Sequence, residues 1–356
     1  MAPRHGGDGL GPNRRASMRE VAQRAGVAMS SVSRVLSGHP DVSAAMRERV
    51  LSAVGDLGYE PDFLAQSLRR GATLSVGFVV GDITNPLMAD IASGAESVLR
   101  AGGYSMLVMN SENEPELDAA HIRFFQGRRV DGMILSLASE RKRSTLDALA
   151  RLETPTVVID RDLPPRIRAS AVLSDHRPGM EAAVAHLLDR GHRRIALVTG
   201  ALTTRPGKAR VAAMREAIAA RGLVDESIYL PESFSEAHGE AATETLLSGP
   251  EPPSAIIAGG NQLLIGCLRA LQRHAVEPGR DIAIITCDDV PLSELYRPPI
   301  ASISRDSVEL GRTAAQLLLR RLRGEAEPAT IVLPTTFVAR ASAEVASRPT
   351  AGASVA

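Results

Sequence analysis

The stretch MREVAQRAGVAMSSVSRVLSG, from Met18 to Gly38, holds two short helical patterns around one glycine. Ser17 and Glu20 form an S-x-x-E capping box ahead of Val21, Ala22 and Ala25, and Gly26 is placed to end that helix in a tight turn. A second helix then carries Val32, Val35 and Leu36 on a narrow inward stripe. Its outer face is Met29, Ser30, Ser33 and Arg34, where a structural helix would usually carry Glu–Lys pairs. Helix, four-residue turn, helix is the spacing of a helix-turn-helix. Phosphate repels long acidic side chains, small hydroxyls let a backbone approach DNA, and an arginine can fork onto guanine O6 and N7. By spacing alone, the pattern also fits a small structural three-helix bundle.

Outward from that stretch, Ser43 is placed to cap a third helix in which Met46, Val50, Val54 and Leu57 recur about once per turn, with Gly58 to stop it. EPDFLAQSLRRGAT (60–73) offers Asp62 as an N-cap and too few residues for a stable isolated helix. It reads as a linker that is helical only when supported. From Leu74, β-branched runs such as SVGFVV, TPTVVID, RIALVTG, SAIIAGG and DIAIITCDD alternate with amphipathic segments. Near-continuous apolar strands between helices mean parallel sheets covered on both faces, and about 270 residues of this exceed one core. Two doubly wound lobes are therefore expected, with ligands at the carboxyl ends of the strands.

The bulk composition fits this division. The chain has 356 residues, 44% apolar and 23% charged, and a formal net charge of zero. Residues 1–72 carry ten arginines against seven acidic residues, a mild basic bias at one end. Two cysteines, Cys267 and Cys287, stand far apart, so neither a disulfide framework nor a zinc site is indicated and a reducing cytosol fits. The segment MAPRHGGDGLGPNRRA has no apolar core, so it reads as a basic arm and not as a signal peptide. No apolar run approaches the roughly 18 residues of a membrane span.

Residues 19–71 strongly resemble the DNA-binding headpiece and hinge of the LacI/GalR family of bacterial repressors. The family pattern of D/E-V-A-x-x-A-G-V-S, T/S-V-S-R-V-L-N-G, V-S-x-x-T-R-x-R-V and L-G-Y-x-P-N-x-x-A-R-S-L is matched nearly throughout. GFVVGDITNP, RRVDGMILS, VVIDR, GHRRIALVTG and DIAIITCDD follow in family order, so the resemblance spans about residues 17–340. It implies an all-α helix-turn-helix headpiece with a hinge helix, joined to an α/β core of two doubly wound parallel-sheet lobes, periplasmic binding protein-like. The expected parts are a disordered arm (1–16), the headpiece (17–60), the hinge (61–72), the core (73–340) and a disordered tail (341–356). Within the core, the N-lobe takes about 73–173 and 303–331, and the C-lobe about 174–302 and 332–340.

Carried over by position, the resemblance assigns Met29, Ser30, Ser33 and Arg34 to the major groove, and Ser31 and Ser17, at the start of the first helix, to phosphates. Leu68 matches the hinge leucine that wedges into the minor groove and kinks the duplex. The implied effector shell is Asp82, Asn85, Leu87, Asp160, Arg161, Arg210, Phe234, Asn261 and Asp288. Carboxylates and arginines suit vicinal hydroxyls or a carboxylate, and an aromatic face suits a pyranose ring or a base. The implied partners are double-stranded DNA at a pseudo-palindromic operator, a sugar or sugar-acid effector and a second copy of the chain. No cofactor, metal or membrane is implied, and the expected setting is cytoplasmic.

Some residues depart from the pattern. Ala28 replaces a serine that would cap the second helix, at a cost of about 1 kcal/mol, and Ser30 is a candidate cap for a shifted start. Asp62 and Gln66 replace the usual Asn and Arg of the hinge, and Leu87 and Met88 stand where two aromatics are common. Arg161, Arg210 and Arg205 also suit an anionic effector. Among rival readings, RIALVTGALTTRPGKAR is superficially a P-loop. It fails because six residues separate Gly200 from Gly207 and Ala209 replaces the magnesium-binding hydroxyl. Cys287 reads as a small core residue before it reads as a nucleophile. A transport-type binding protein would share the core but have no use for residues 17–72.

Overall fold

Ser17 decides where the first headpiece helix begins. In the computed structural model, which describes residues 16–59 and 71–346, its hydroxyl accepts from the Glu20 amide at 3.3 Å, and the Glu20 carboxylate accepts from the Ser17 amide at 2.6 Å. The capping box thus starts α1 (Met18–Ala25), and Gly26, at φ 63°, ends it in the left-handed conformation that glycine adopts without strain. The second helix, α2 (Met29–Leu36), starts directly after Ala28 without a side-chain cap. Ser30 therefore does not cap a shifted start: it lies inside the helix, and the Ala28 carbonyl already accepts from Ser31 and Val32. Ser43 caps α3 (Ala44–Leu57) through the Met46 amide. Val21, Ala25, Val32, Val35, Val50, Ala53 and Tyr59 form one apolar core, with Leu36 half-buried at its edge. The candidate hinge residues Asp62, Gln66 and Leu68 lie outside the described residues.

The chain divides between Thr73 and Leu74 into two compact units. In the second, strands and helices alternate: β1 (Ser75–Val80), α4 (Pro86–Ala101), β2 (Ser105–Asn110), α5 (Pro115–Gly127), β3 (Gly132–Leu135), α6 (Arg143–Ala150), β4 (Thr156–Ile159) and β5 (Ser170–Asp175). There follow α7 (Arg177–Asp189), β6 (Ile195–Gly200), α8 (Arg205–Ala220), β7 (Ile228–Glu232), α9 (Glu236–Ser248), β8 (Ala255–Ala258), α10 (Asn261–Arg273) and β9 (Ala283–Cys287). The last elements are α11 (Pro291–Leu295), β10 (Ala301–Ser304), α12 (Ser307–Leu322), β11 (Thr330–Pro334), β12 (Thr336–Val338) and a 3-10 turn at Ala341–Ala343.

They build two six-stranded sheets, in the orders β11-β5-β4-β3-β1-β2 and β12-β10-β9-β8-β6-β7. All pairings are parallel except β10 with β12. Strands buried end to end, such as β1, β3, β4, β6, β8 and β9, are the ones whose sequence is continuously apolar. The chain crosses from one sheet to the other after β5, after β10 and after β11. These crossings fall a few residues beyond the boundaries expected at 173, 302 and 331, because Ser174, Asp175 and Leu333 still pair within the first sheet and Ile303 and Ser304 within the second.

Helix pairs close over each sheet through glycine. A Cβ on Gly311 of α12 would come 1.9 Å from the Ile91 carbonyl of α4, and one on Gly94 would come 2.0 Å from the Val308 carbonyl. The second lobe repeats the device, with Gly266 of α10 against Glu236 and Gly239 of α9 against Leu263. Backbone cannot yield as a side-chain tip can, so Gly311→Ala is expected to destabilise the core by about 1–3 kcal/mol. Thermal unfolding checks this, and an unchanged midpoint would refute the close helix contact.

The expectation of disorder from residue 341 onward fails for 341–346. Ser342 is fully buried, donates to the Ile284 carbonyl at 2.6 Å and accepts from the Ala301 amide at 2.8 Å. The His192 ring donates to the Val345 carbonyl at 2.9 Å. An Ala/Ser-rich segment carries little apolar signal of its own, and here hydrogen bonds to another lobe element order it.

Candidate nucleic-acid interface and effector cleft

The headpiece presents α2 as expected. Val32 and Val35 face inward, while Met29 is 52% exposed and Ser30 and Arg34 are exposed beside it. Ser31 and Ser33 are half-exposed on the flanks. The first turn of α2 carries no acidic residue, and Arg34 lies in its last turn. Ser17 is exposed, but its hydroxyl also donates to the Glu20 carboxylate at 2.8 Å, so it is engaged within the capping box.

In the core, strand ends from both lobes converge on one cleft, and all nine expected shell residues line one cavity there. Two aspartates form its floor. Asp160 follows β4 with φ 50° and Asp288 follows β9 with φ 72°, a left-handed turn that a short polar side chain tolerates better than a bulky one. Both are buried. Between them lies Arg305, which no sequence argument singled out. Its Nε donates to Asp288 Oδ1 at 2.8 Å, and its Nη1 donates to Ser174 Oγ at 2.9 Å and to Asp160 Oδ2. Burial raises the Asp160 carboxyl, but the charge of Arg305, with the hydrogen bond from the Ser174 amide, outweighs it and holds the carboxyl well below the usual range. Burial likewise opposes the charge on Arg305, and Asp288 and Asp160 overcome that and raise it. Burial and the neighbouring Arg210 keep the His176 ring far below its ordinary value, so it stays neutral.

Arg210 is 2% exposed. Its Nη1 donates to the Gly259 carbonyl at 2.5 Å, Nη2 stands 3.9 Å from Asp288 Oδ2, and the guanidinium carbon lies 5.5 Å from the centre of the Phe234 ring. Arg161 lines the cavity, but its Nε and Nη1 donate to the Leu137 and Asp160 carbonyls. Arg205, named as a further cation that would suit an anionic effector, reaches Asp162 and the Ser174 carbonyl and is not among the residues lining the cavity.

At the cleft mouth, Asn261 at the start of α10 donates to Asn85 at 2.8 Å, and its neighbour Gln262 donates to Asp82. Burial raises the Asp82 carboxyl, but hydrogen bonds from Thr84 and Gln262 prevail and lower it. Asn85 also caps α4 through the Leu87 amide. Elsewhere, the buried Glu140 carboxylate accepts from Lys208 Nζ at 2.7 Å and from the Arg205 amide at 3.1 Å, joining the two lobes. Gln262, Glu140 and Arg305 are the functional candidates that sequence reasoning missed. Arg305 had a signal, since it directly follows β10, a strand ending in the same cleft. Cys287 is buried and burial pushes its thiol up, as suits a core residue and not a nucleophile. Among the described residues, no group of His, Cys, Asp and Glu could hold a metal ion, and no helix is long and apolar enough to cross a membrane.

A three-helix unit with an exposed, acid-free second helix, followed by two Rossmann-like lobes around a polar cleft, defines an effector-controlled DNA-binding regulator. Residues 17–62 match the model of bacterial regulatory proteins of the lacI family, and residues 184–343 match the periplasmic binding protein-like domain. The ribose operon repressor of Escherichia coli K12 is 32% identical over 310 residues, 86% of this chain and 93% of that protein. The PurR repressor of Haemophilus influenzae PittEE is 31% identical over 310 residues, 86% of this chain and 91% of that protein. The lac repressor dimer bound to operator and the anti-inducer ONPF superposes with a TM-score of 0.83 at 25% identity, covering 93% of this chain and 99% of that one. The chain belongs to the lacI family of bacterial regulatory proteins, and it is a DNA-binding transcription regulator with a small-molecule effector.

Proposed function

We propose that the chain represses transcription as a homodimer on a pseudo-palindromic operator, with Met29, Ser30, Ser33 and Arg34 of each α2 facing base edges. Ser31 reaches phosphate, and Ser17 holds the start of α1 against the backbone. Leu68 is proposed as the minor-groove wedge. The effector, a sugar or sugar acid, sits in the interlobe cleft against Asp82, Asn85, Leu87, Asp160, Arg161, Arg210, Phe234, Asn261 and Asp288. The related lac repressor dimer on its operator and the Enterococcus faecium regulator with bound ribose, which matches with a TM-score of 0.67 at 28% identity, support both halves of this reading.

The observation that carries it is the convergence of all nine shell residues from many strand ends onto one cleft, in a chain that also bears the headpiece. Because lobes on both sides supply the ligands, ligand binding changes closure. By linkage, DNA must then change effector affinity by the same factor that effector changes DNA affinity. No catalytic step enters this reading. The test is a gel shift on genomic fragments with the full chain and with a chain beginning at residue 73. Retention of selected fragments should vanish with the headpiece and respond to sugars only in the full chain. Equal retention by both chains would refute it.

A further inference from the structure

The two sheets run their strands in the same order, β4-β3-β1-β2 in the first and β9-β8-β6-β7 in the second, so β1 corresponds to β6 and β3 to β8. The loops after these strands meet across the cleft at two equivalent places. At the mouth, the loop after β1 meets the residues after β8: Asn85 accepts from Asn261, and Asp82 accepts from Gln262. At the second place, the loop after β3 meets the first turn of α8, after β6: Glu140 accepts from Lys208 Nζ at 2.7 Å and from the Arg205 amide at 3.1 Å. The four mouth residues line the cavity, whereas neither Glu140 nor Lys208 does.

Glu140 is held rigidly by its own lobe. Its carboxylate also accepts from the Asp162 amide at 3.0 Å, and the residue is only 3% exposed. Its loop is pinned where the Ala138 amide donates to Asp118 at 2.7 Å and Arg161 Nε donates to the Leu137 carbonyl. The facing helix has no side-chain cap of its own, since the Thr204 hydroxyl donates to the Ala201 carbonyl. A carboxylate of one lobe therefore serves the helix start of the other, where the helix dipole favours negative charge. Contacts made only with the lobes together favour that arrangement by their differential free energy. We infer that the Glu140–Lys208 clasp sets how far the cleft is closed before any effector arrives, while the mouth clasp is the part that an effector remakes. Apparent effector affinity then scales with the closed fraction that Glu140 maintains without touching the effector. The effector's part in this rests on the cleft being its site.

The experiment is hydrogen exchange with mass spectrometry on the full chain, free of DNA and small molecules. Glu140→Gln keeps an oxygen for the amides but no charge for Lys208, and Lys208→Met keeps the stem without the charge. In each, exchange of the mouth segments 82–88 and 260–265 should rise about threefold or more, although Glu140 and Lys208 bond elsewhere. Lys208→Arg, which keeps the charge, should stay near the wild type. The double variant Glu140→Gln/Lys208→Met should match the larger single effect, because the two residues act as one contact. Unchanged mouth exchange in both single variants, or effects that multiply in the double variant, would overturn the inference. So would a rise shared equally by β1 and β6, since that is unfolding of the lobes and not their opening. Retention of the selected DNA fragment is read on the same variants. Raised mouth exchange with altered retention supports both the clasp and the regulatory reading of the cleft. Raised mouth exchange with unaltered retention supports the clasp and refutes control of DNA by closure.

Discussion

An Arg34→Ala variant should lose about 1–3 kcal/mol of base discrimination at each half-site. With two headpieces on one operator the expected loss reaches about 2–6 kcal/mol, because in the proposed docking each α2 would forfeit one base contact. Arg34 is exposed in the last turn of α2 and is not part of the headpiece core, so the fold should change by less than about 0.5 kcal/mol. The measurement is competition binding of the selected fragment against half-site variants at fixed salt. A variant that weakens binding to random duplex by the same factor would place Arg34 on phosphate and not on a base edge.

The second large effect lies in the core. Asp160→Ala is expected to destabilise the core by about 3–5 kcal/mol, since it leaves a buried guanidinium with one carboxylate and strips the Ser174 amide and hydroxyl of their acceptor. Asp160→Asn should cost less, because an amide oxygen still accepts from Ser174. The pH dependence has a definite sign. The folded state holds this carboxyl well below its ordinary value, so its stabilisation is present above the unfolded pKa of about 4 and is lost as pH falls towards the folded value. Acid unfolding of the wild type should therefore include a loss that Asp160→Ala lacks. Urea melts at neutral and acid pH measure both terms, and parallel pH profiles for the two proteins would refute the buried pair's contribution.

Parts of this arrangement are legible in one dimension and parts are not. Ser17, Gly26, Ser43 and Gly58 mark helix ends because capping and left-handed turns are local acts that residue type decides. The strands β1, β3, β4, β6, β8 and β9 are apolar nearly throughout, since both of their faces are covered, whereas β2 is legible from residue type although it is exposed to half-buried. Other strands carry a weaker signal, among them β5, which is largely buried but holds Ser170, Ser174 and Asp175. β7 includes Pro231 at a sheet edge, β11 alternates exposed and half-buried residues, and β12 runs antiparallel over three residues. The helices α5, α6 and α9 carry a weak signal for a similar reason: each lies within a polar stretch where the buried face is only a few residues wide.

The shell residues were found through resemblance, and their convergence is what the structure adds. Arg161 and Arg205 show the limit: the chain order says that a cation is there, not that backbone carbonyls hold it. Residue order by itself determined the headpiece, its outward α2 face and the two-lobed class, because periodicity and capping act within a few residues. Only the tertiary structure decided the charge balance of the cleft, because Arg305, 17 residues from Asp288, meets Asp160 from 145 residues away. Their pairing depends on how the two sheets cross, and no local pattern encodes that.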